Sequence, residues 1–207
     1  MNTHVDIDPA ILYFGTPVVV LSTLNEDGTT NLMPMSSVFW LGRTAVLGIG
    51  ASSQTALNLR HRPEIVLNLP SVDLVTEVDR LALTTGNGAM SATKLERGYV
   101  YVPDKYAHAG LTAYGSDTVL PTSVAECPVH IEGTVVELHE LREPKLLAVE
   151  VAVSAVRVMP DVRLDGHPNR IDPDRWRPLV MSFQHFYGLG ERVHPSRLAS
   201  IDEELYR

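Results

Sequence analysis

The 207-residue sequence is poor in cysteine, in aromatic residues and in positive charge. Its single cysteine, Cys127, excludes an internal disulfide and is typical of a reducing compartment. Cys127 has no motif partner, so we interpret it as a small buried residue rather than a nucleophile. The formal net charge of -8 argues against a nucleic-acid partner, because binding to a phosphate backbone requires a basic surface.

Long apolar runs are also missing. No stretch approaches the roughly 20 apolar residues that a membrane-spanning helix requires, so no membrane partner is expected. The first ten residues, MNTHVDIDPA, have neither a basic segment nor an apolar core and do not resemble a signal peptide. We therefore expect a cytoplasmic protein.

Common catalytic motifs are absent as well. There is no G-x-S-x-G of a serine hydrolase. No G-x-G-x-x-G opens a helix after a strand, so a nicotinamide nucleotide would bind transiently rather than in a Rossmann domain. The eight histidines show no H-x-x-x-H or H-E-x-x-H spacing, and His130 and His139 lie nine residues apart on one predicted strand. No metal site is expected from such spacing.

The sequence does contain short β-branched runs joined by tight turns, which are typical of an antiparallel meander. Strands are predicted over residues 17–24, 30–40, 44–50 and 64–69, with a helix over 54–61 that Pro63 stops. Pro34 demotes its strand to a sheet edge or a bulge, because proline has no N–H to donate. The predicted fold class is mainly β with helical excursions.

The second half of the chain is less regular. Helical spacing is predicted over residues 72–81 and a further turn of helix within 91–98, whereas 99–122 lacks periodicity and is interpreted as a long surface segment. Strands over 128–140 and 146–159 are expected to form a second hairpin that closes a barrel. The predicted organisation is an arm (1–12), a barrel domain (13–159) and a C-terminal extension (160–207) that packs on the barrel or on a partner subunit.

Two polar clusters stand out in the first half. The first cluster lies on the predicted strand at residues 30–40 and consists of Asn31, Ser36 and Ser37. The second lies where the predicted helix at 54–61 begins and consists of Ser52, Ser53, Gln54 and Thr55. A helix start leaves backbone N–H groups unpaired and carries partial positive charge, so it suits a phosphate. The simpler alternative is that Ser53 or Thr55 only caps the helix.

In sequence, these clusters read N-x-x-P-M-S-S and G-A-S-S-Q-T-x-x-N, followed by V-L-N-L-P. This ordered set resembles the flavin reductase-like family of FMN-binding split barrels, over a stretch from about Tyr13 to about Val158. The resemblance implies an antiparallel Greek-key split β-barrel. It also implies that Asn31, Ser36 and Ser37 face the flavin ring and ribityl chain, that Ser52, Ser53, Gln54 and Thr55 face the phosphate, and that Asn68 approaches from the following strand.

Further candidates follow from what an FMN site requires. Lys94 is the candidate for positive charge near the ring, with a solvated surface lysine as the alternative. Lys105 and Tyr106 resemble a family position on the substrate side of the ring, where His108 could face nicotinamide. Methionine and aromatic side chains near Ser36 could cover the ring or pack in the core; they are Met33, Met35, Phe39 and Trp40.

The C-terminal extension contributes arginines that could contact the phosphate: Arg157, Arg163, Arg170, Arg175 and Arg177. Interleaved aspartates offer the alternative that these arginines form surface ion pairs.

As a whole, the resemblance implies a homodimeric FMN-dependent oxidoreductase that takes hydride from NAD(P)H and passes electrons to an acceptor. The resemblance does not decide whether the electron donor is NADH or NADPH. It also does not decide whether FMN is a bound cofactor or an exchanging substrate. Two other classes stay open. One is a protein on the same barrel that holds flavin or another cofactor without turnover, and the other is a structural partner protein whose pocket binds no flavin.

Overall fold

The computed structural model describes residues 3–143 and 145–206. The first two residues of the predicted arm, Pro144 and the last residue of the predicted extension lie outside that part. Its strands are β1 Phe14–Pro17, β2 Val19–Leu24, β3 Thr30–Met35, β4 Val38–Leu41, β5 Thr44–Gly50, β6 Glu64–Leu69, β7 Thr84–Thr85, β8 Val100–Tyr101, β9 Ala113–Tyr114, β10 Ser123–Val124, β11 Val129–Glu140, β12 Leu146–Val158, β13 Leu179–Ser182 and β14 His185–Gly188. Its helices are α1 Gln54–His61, α2 Val75–Leu81, α3 Ala92–Glu96 and α4 Lys105–Ala109, with 3-10 turns at Val72–Leu74, Pro160–Val162, Arg197–Ser200 and Glu203–Tyr206.

Seven antiparallel strands form the central sheet, in the order β3-β2-β6-β11-β12-β5-β4. The predicted mainly β fold is confirmed, as are the β2–β3 and β11–β12 hairpins. β3 and β4 are the two edges of this sheet although only Ser36 and Ser37 separate them in the chain. The sheet must therefore curl, but within residues 3–143 and 145–206 no hydrogen bonds join its edges, and closure of the barrel stays a prediction.

The strand predicted over 30–40 is broken into β3 and β4. The Ser37 carbonyl accepts the Gly48 N–H at 2.8 Å, so the chain turns away from β2 and pairs with β5. Pro34 lies in the edge strand β3, where its missing N–H costs no ladder hydrogen bond.

Both faces of the sheet are covered, and β2 shows how. Val19 and Leu21 point into a core that also contains Leu67 and Val149, on one side of the sheet. Val20 alternates to the other side, where a second core joins the sheet to α2, α4 and β13. Every residue of β2 is consequently buried.

Two segments without clear periodicity fold onto this frame. Asp104 caps α4 by accepting the Ala107 N–H at 3.0 Å, and Gly110 ends it with φ 76°. The long surface segment predicted over 99–122 therefore contains a helix, whose five residues are too few for a periodic signal. Farther on, β13 pairs with β1 and β14, and Leu179 is buried in the second core.

Glu132 fastens the segment before β10 to β11. Its fully buried carboxylate accepts the N–H groups of Asp117 and Thr118, at 3.1 and 2.7 Å, and pairs with Arg157. Burial alone raises the pKa of Glu132, but the bonds from Thr118 and Asp117 and the charge of Arg157 outweigh it and hold that pKa below its usual value.

We expect Glu132→Gln to lower the free energy of unfolding by about 2 kcal/mol at pH 7, because an amide leaves buried N–H donors and Arg157 poorly paired. The lowered pKa means that this stabilisation is present above the unfolded-state pKa and is lost as pH falls through the folded-state pKa. Urea denaturation at pH 7 and at about pH 3 should therefore show a difference that shrinks in acid. Glu137→Gln, at an exposed position of the same strand, is the control and should change the free energy by under about 0.5 kcal/mol.

Candidate functional site

A cavity of about 750 Å³ opens beside the point where β3 leaves the sheet. Its wall is formed by β3, the end of β5, the start of α1, the chain from α2 to α3, and the β13–β14 hairpin. This volume is in the range of small-molecule and cofactor sites. Most of the predicted cofactor-binding residues line it: Asn31, Ser36, Ser37, Ser52, Ser53, Gln54, Thr55 and Lys94.

The start of α1 supplies hydrogen-bond donors to this cavity. Ser53 is the N-cap, and its hydroxyl accepts the Ala56 N–H at 3.1 Å. In the described part of the chain, the N–H groups of Gln54 and Thr55 have no acceptor. The capping role therefore does not use all the donors at this helix start, because one N–H is capped while two others remain available for an anion.

Asn31 presents a buried acceptor that lacks a partner. Its side chain is 3% exposed, and its Nδ2 donates to the Thr55 hydroxyl at 3.2 Å. Its Oδ1 has no hydrogen-bond partner among the described residues. A buried orphan oxygen costs free energy. Because Asn31 lines the cavity, an N–H or O–H group of a ligand could satisfy it.

Gly86 fits closely against Asn31. A Cβ atom at position 86 would lie 2.4 Å from Asn31 Oδ1 and 3.2 Å from Gln54 Cγ. Only a residue without a side chain allows this approach. The chain between β7 and α3 thus holds the polar wall of the cavity in place.

Two lysines lie in the same wall, and no carboxylate of the described residues pairs with either. Lys94 Nζ donates to Thr85 Oγ1 at 3.3 Å, and Lys105 Nζ donates to the Leu32 carbonyl at 2.6 Å. Lys105 is only 3% exposed. Burial, and secondarily the charge of Lys94, lower the pKa of Lys105 to about 8. The cavity consequently has a cationic region that can stabilise a negatively charged group.

The apolar part of the wall comes from distant segments. Met33 and Met35 of β3 line it, and the β13–β14 hairpin adds Met181 and Phe186. Of the aromatic candidates near Ser36, Trp40 packs against the first core and Phe39 is exposed. The role of the C-terminal hairpin was not visible in the sequence, since no local pattern indicates which face of the sheet it covers.

Asn68 does not line the cavity. Its Nδ2 donates to the Val20 carbonyl at 2.8 Å and to Ser22 Oγ at 2.9 Å, and its Oδ1 accepts the Val124 N–H at 2.8 Å. The side chain is completely buried and its hydrogen-bonding groups are used. Asn68 therefore links β6 to β2 and β10, and the expected contact with a flavin has no support in this arrangement.

His108 and the C-terminal arginines also lie outside the cavity lining. His108 is exposed on α4, with Nε2 3.1 Å from the Arg80 carbonyl oxygen. Arg157 pairs with Asp117 at 3.0 Å, and Arg175 pairs with Asp165 at 2.6 Å. Neither Arg163, Arg170 nor Arg177 belongs to the lining. Arg157 and Arg175 therefore fit the alternative that these arginines form surface ion pairs with aspartates.

In residues 3–143 and 145–206, no helix is long and apolar enough to cross a membrane. Nowhere in that part of the chain do three side chains of His, Cys, Asp or Glu come together in a way that could hold a metal ion.

Fold and cavity together define a mainly β protein with an anion-accepting, partly apolar site beside a curled antiparallel sheet. The chain belongs to the flavin reductase family, since the family model of the flavin reductase like domain matches residues 11–190. The predicted family is thereby confirmed.

Individual proteins are also similar to this chain. The uncharacterized protein YdfE of Bacillus subtilis (strain 168) is 40% identical over 190 residues, covering 91% of this chain and 90% of YdfE. Two solved structures share the fold at low identity. Flavoredoxin of Desulfovibrio vulgaris (Miyazaki F) is 18% identical with a TM-score of 0.79 and covers 96% of this chain and 100% of its own. A proposed flavin reductase with a split barrel domain from Shewanella frigidimarina NCIMB 400 is 17% identical with a TM-score of 0.69, covering 88% and 86%.

Proposed function

We propose that this protein binds FMN in the cavity beside α1 and is an oxidoreductase that takes hydride from NAD(P)H and passes electrons to an acceptor. Membership of the flavin reductase family supports an oxidoreductase. One observation supports the finer assignment: helix N–H groups and a buried acceptor without a partner among the described residues line the same cavity as two lysines that pair there with no carboxylate. These are the groups that a phosphate, a ribityl chain and an electron-rich ring edge require.

In this proposal the phosphate lies at the start of α1, against Ser52, Ser53 and the N–H groups of Gln54 and Thr55. Dipole and donors both favour a dianion there. The Ser36 and Ser37 hydroxyls face the ribityl chain and ring edge, together with the orphan Oδ1 of Asn31.

The electron-rich part of the ring lies near Lys94 and Lys105, whose charges stabilise it when reduced. When bound, FMN supplies the chemistry of accepting hydride and releasing electrons. The residues of this chain position the reactants and hold positive charge in place. The methionine side chains of the cavity lining, Met33, Met35 and Met181, exclude water.

We also propose that the working unit is a homodimer. A monomer of 22.8 kDa is expected to expose roughly 9,600 Å² by the scaling of surface with mass, whereas this chain exposes 13019 Å². Part of the excess is apolar: Phe14, Leu189 and Val193 are 71, 65 and 98% exposed. Obligate homodimers bury apolar areas of this scale. Sedimentation equilibrium should give twice the chain mass, and a concentration-independent monomer would contradict the proposal.

The phosphate assignment is tested by Ser53→Asp. Aspartate retains the N-cap and suits the helix dipole, so the thermal midpoint should not fall. Its charge repels a phosphate, and the dissociation constant for FMN, measured by quenching of flavin fluorescence, should rise about tenfold or more.

Ser196→Asp is the matched control, because Ser196 caps a 3-10 turn in the C-terminal segment and its hydroxyl accepts the Leu198 N–H at 3.1 Å. This variant should bind FMN as the unchanged protein does. Equal FMN affinity in Ser53→Asp and Ser196→Asp would rule out a phosphate at the start of α1.

A further inference from the structure

Arg97 is an exposed arginine of the cavity wall. In the described part of the chain its guanidinium makes no hydrogen bond and no ion pair. Some arginines of the described residues do pair with carboxylates, since those at positions 80, 157, 170, 175 and 192 each lie within 4.0 Å of one. Although the chain has a net charge of -8, the lining of this cavity carries more cations than carboxylates.

Lys94 and Arg97 form a pair on the α3 segment. They are three residues apart, a spacing that places side chains on the same side of a helical turn, and both line the cavity. Tyr99 lines it too, with Lys94 Nζ 5.8 Å from its ring centroid. Asp79 is the carboxylate of the lining and is outnumbered by Lys94, Arg97 and Lys105.

The proposed phosphate seat of FMN does not use Arg97. That phosphate lies at the start of α1, where helix N–H groups serve it, and Lys105 is buried under the sheet edge with Leu32. Arg97, by contrast, is exposed at the rim. A nicotinamide that reaches into the cavity leaves the adenosine half of its dinucleotide at the rim. A terminal phosphate on that half would meet the planar guanidinium of Arg97, a group that can bind such a dianion through two parallel N–H donors.

We infer that Arg97 binds the 2′-phosphate of the electron donor, so that the donor is NADPH rather than NADH, with the adenine against Tyr99. This inference rests on the proposed function, because it names the substrate of the same site. It assigns Arg97 as the specificity-determining residue. Lys94 serves the ring edge and adds only its positive charge to the surroundings of Arg97, so it cannot be changed without affecting flavin binding.

The test is calorimetric titration of FMN-loaded protein at low ionic strength with adenosine 2′,5′-bisphosphate and with 5′-AMP. Low salt is used because screening weakens exposed charge pairs. The bisphosphate should bind at least tenfold more tightly than 5′-AMP. Arg97→Ala should abolish that ratio, and Arg97→Lys should retain part of it. Arg60→Ala removes the same charge from the exposed end of α1 and should leave the ratio within twofold.

Steady-state kinetics provide a second readout. In Arg97→Ala, kcat/KM for NADPH should fall at least tenfold while kcat/KM for NADH changes by less than about twofold. Equal binding of the two nucleotides to the unchanged protein would overturn the inference. So would an equal loss with both donors, which would assign Arg97 to the pyrophosphate, or an equal effect of Arg60→Ala, which would assign it to net charge.

Failure of the proposed function looks different. Protein that never retains flavin would count against the proposed function and not by itself against the nucleotide preference. The nucleotide titration is therefore repeated on flavin-free protein, where a ratio near one counts against the inference alone.

Discussion

Gly86→Ala is expected to weaken FMN binding about a hundredfold. The added Cβ would lie 2.4 Å from Asn31 Oδ1, so either the Asn31 side chain or the segment between β7 and α3 must move. Movement of Asn31 breaks its 3.2 Å bond to Thr55 and removes the orphan acceptor from the cavity. Overpacking of this kind costs about 1–3 kcal/mol, and a loss of that size in binding free energy corresponds to about fivefold to 150-fold in affinity. Flavin fluorescence quenching measures the dissociation constant.

Gly88→Ala is the matched control for this substitution. Gly88 lies two residues farther along, and the nearest atoms to a Cβ there belong to the Tyr101 ring, at an ordinary 3.9 Å. The control should bind FMN within about threefold of the unchanged protein. If Gly86→Ala bound FMN as tightly as Gly88→Ala does, Asn31 and Gly86 would not belong to the flavin site.

Lys105→Met is expected to weaken FMN binding by about tenfold to a hundredfold at pH 7. The substitution keeps the length of the side chain and removes a buried charge that no carboxylate of the described residues balances. An interaction with a charged donor contributes about 1.5–3 kcal/mol. Burial disfavours this charge, so its removal offsets the hydrogen bond that the Leu32 carbonyl loses, and the thermal midpoint should fall little.

The pH dependence of FMN binding tests the same role of Lys105. Burial lowers the pKa of Lys105 to about 8, so its ammonium is charged at pH 7 and neutral above pH 9. The affinity of the unchanged protein for FMN should therefore decline as pH rises from 7 to 9.5, whereas that of Lys105→Met should not decline from this cause. Lys145→Met, which removes an exposed charge at the β11–β12 hairpin, should retain the decline. Parallel pH profiles in all three proteins would contradict a role for Lys105.

Local features of this fold could be predicted from sequence. The helix over 54–61 and the strand over 64–69 agree with α1 and β6, because a serine cap, an apolar pattern and two prolines lie next to each other in the chain. Both polar clusters line one cavity, since a β-hairpin and a short helix connection bring nearby residues together. The family resemblance depended on these same local motifs.

Features that depend on contacts between distant parts of the chain could not be predicted. Asn68 belongs to a motif that resembles the family, yet its side chain is hydrogen-bonded to β2 and β10. No local sequence signal indicates these hydrogen bonds. In the sequence Lys105 looks like an ordinary surface lysine. Its burial follows from the fold, which places its ammonium against the Leu32 carbonyl. Gly86 has no side chain whose pattern could be read, and its importance is visible only from its distance to Asn31.

The measurement that tests the central claim most directly is an anaerobic titration of FMN-loaded protein with NADH and NADPH in turn, followed by the flavin absorbance. The account predicts that the protein retains FMN and that its absorbance bleaches rapidly with a nicotinamide nucleotide, faster with NADPH. Yellow protein that neither nucleotide bleaches would contradict the reductase and support a flavin carrier. Protein that never retains flavin would contradict the site itself.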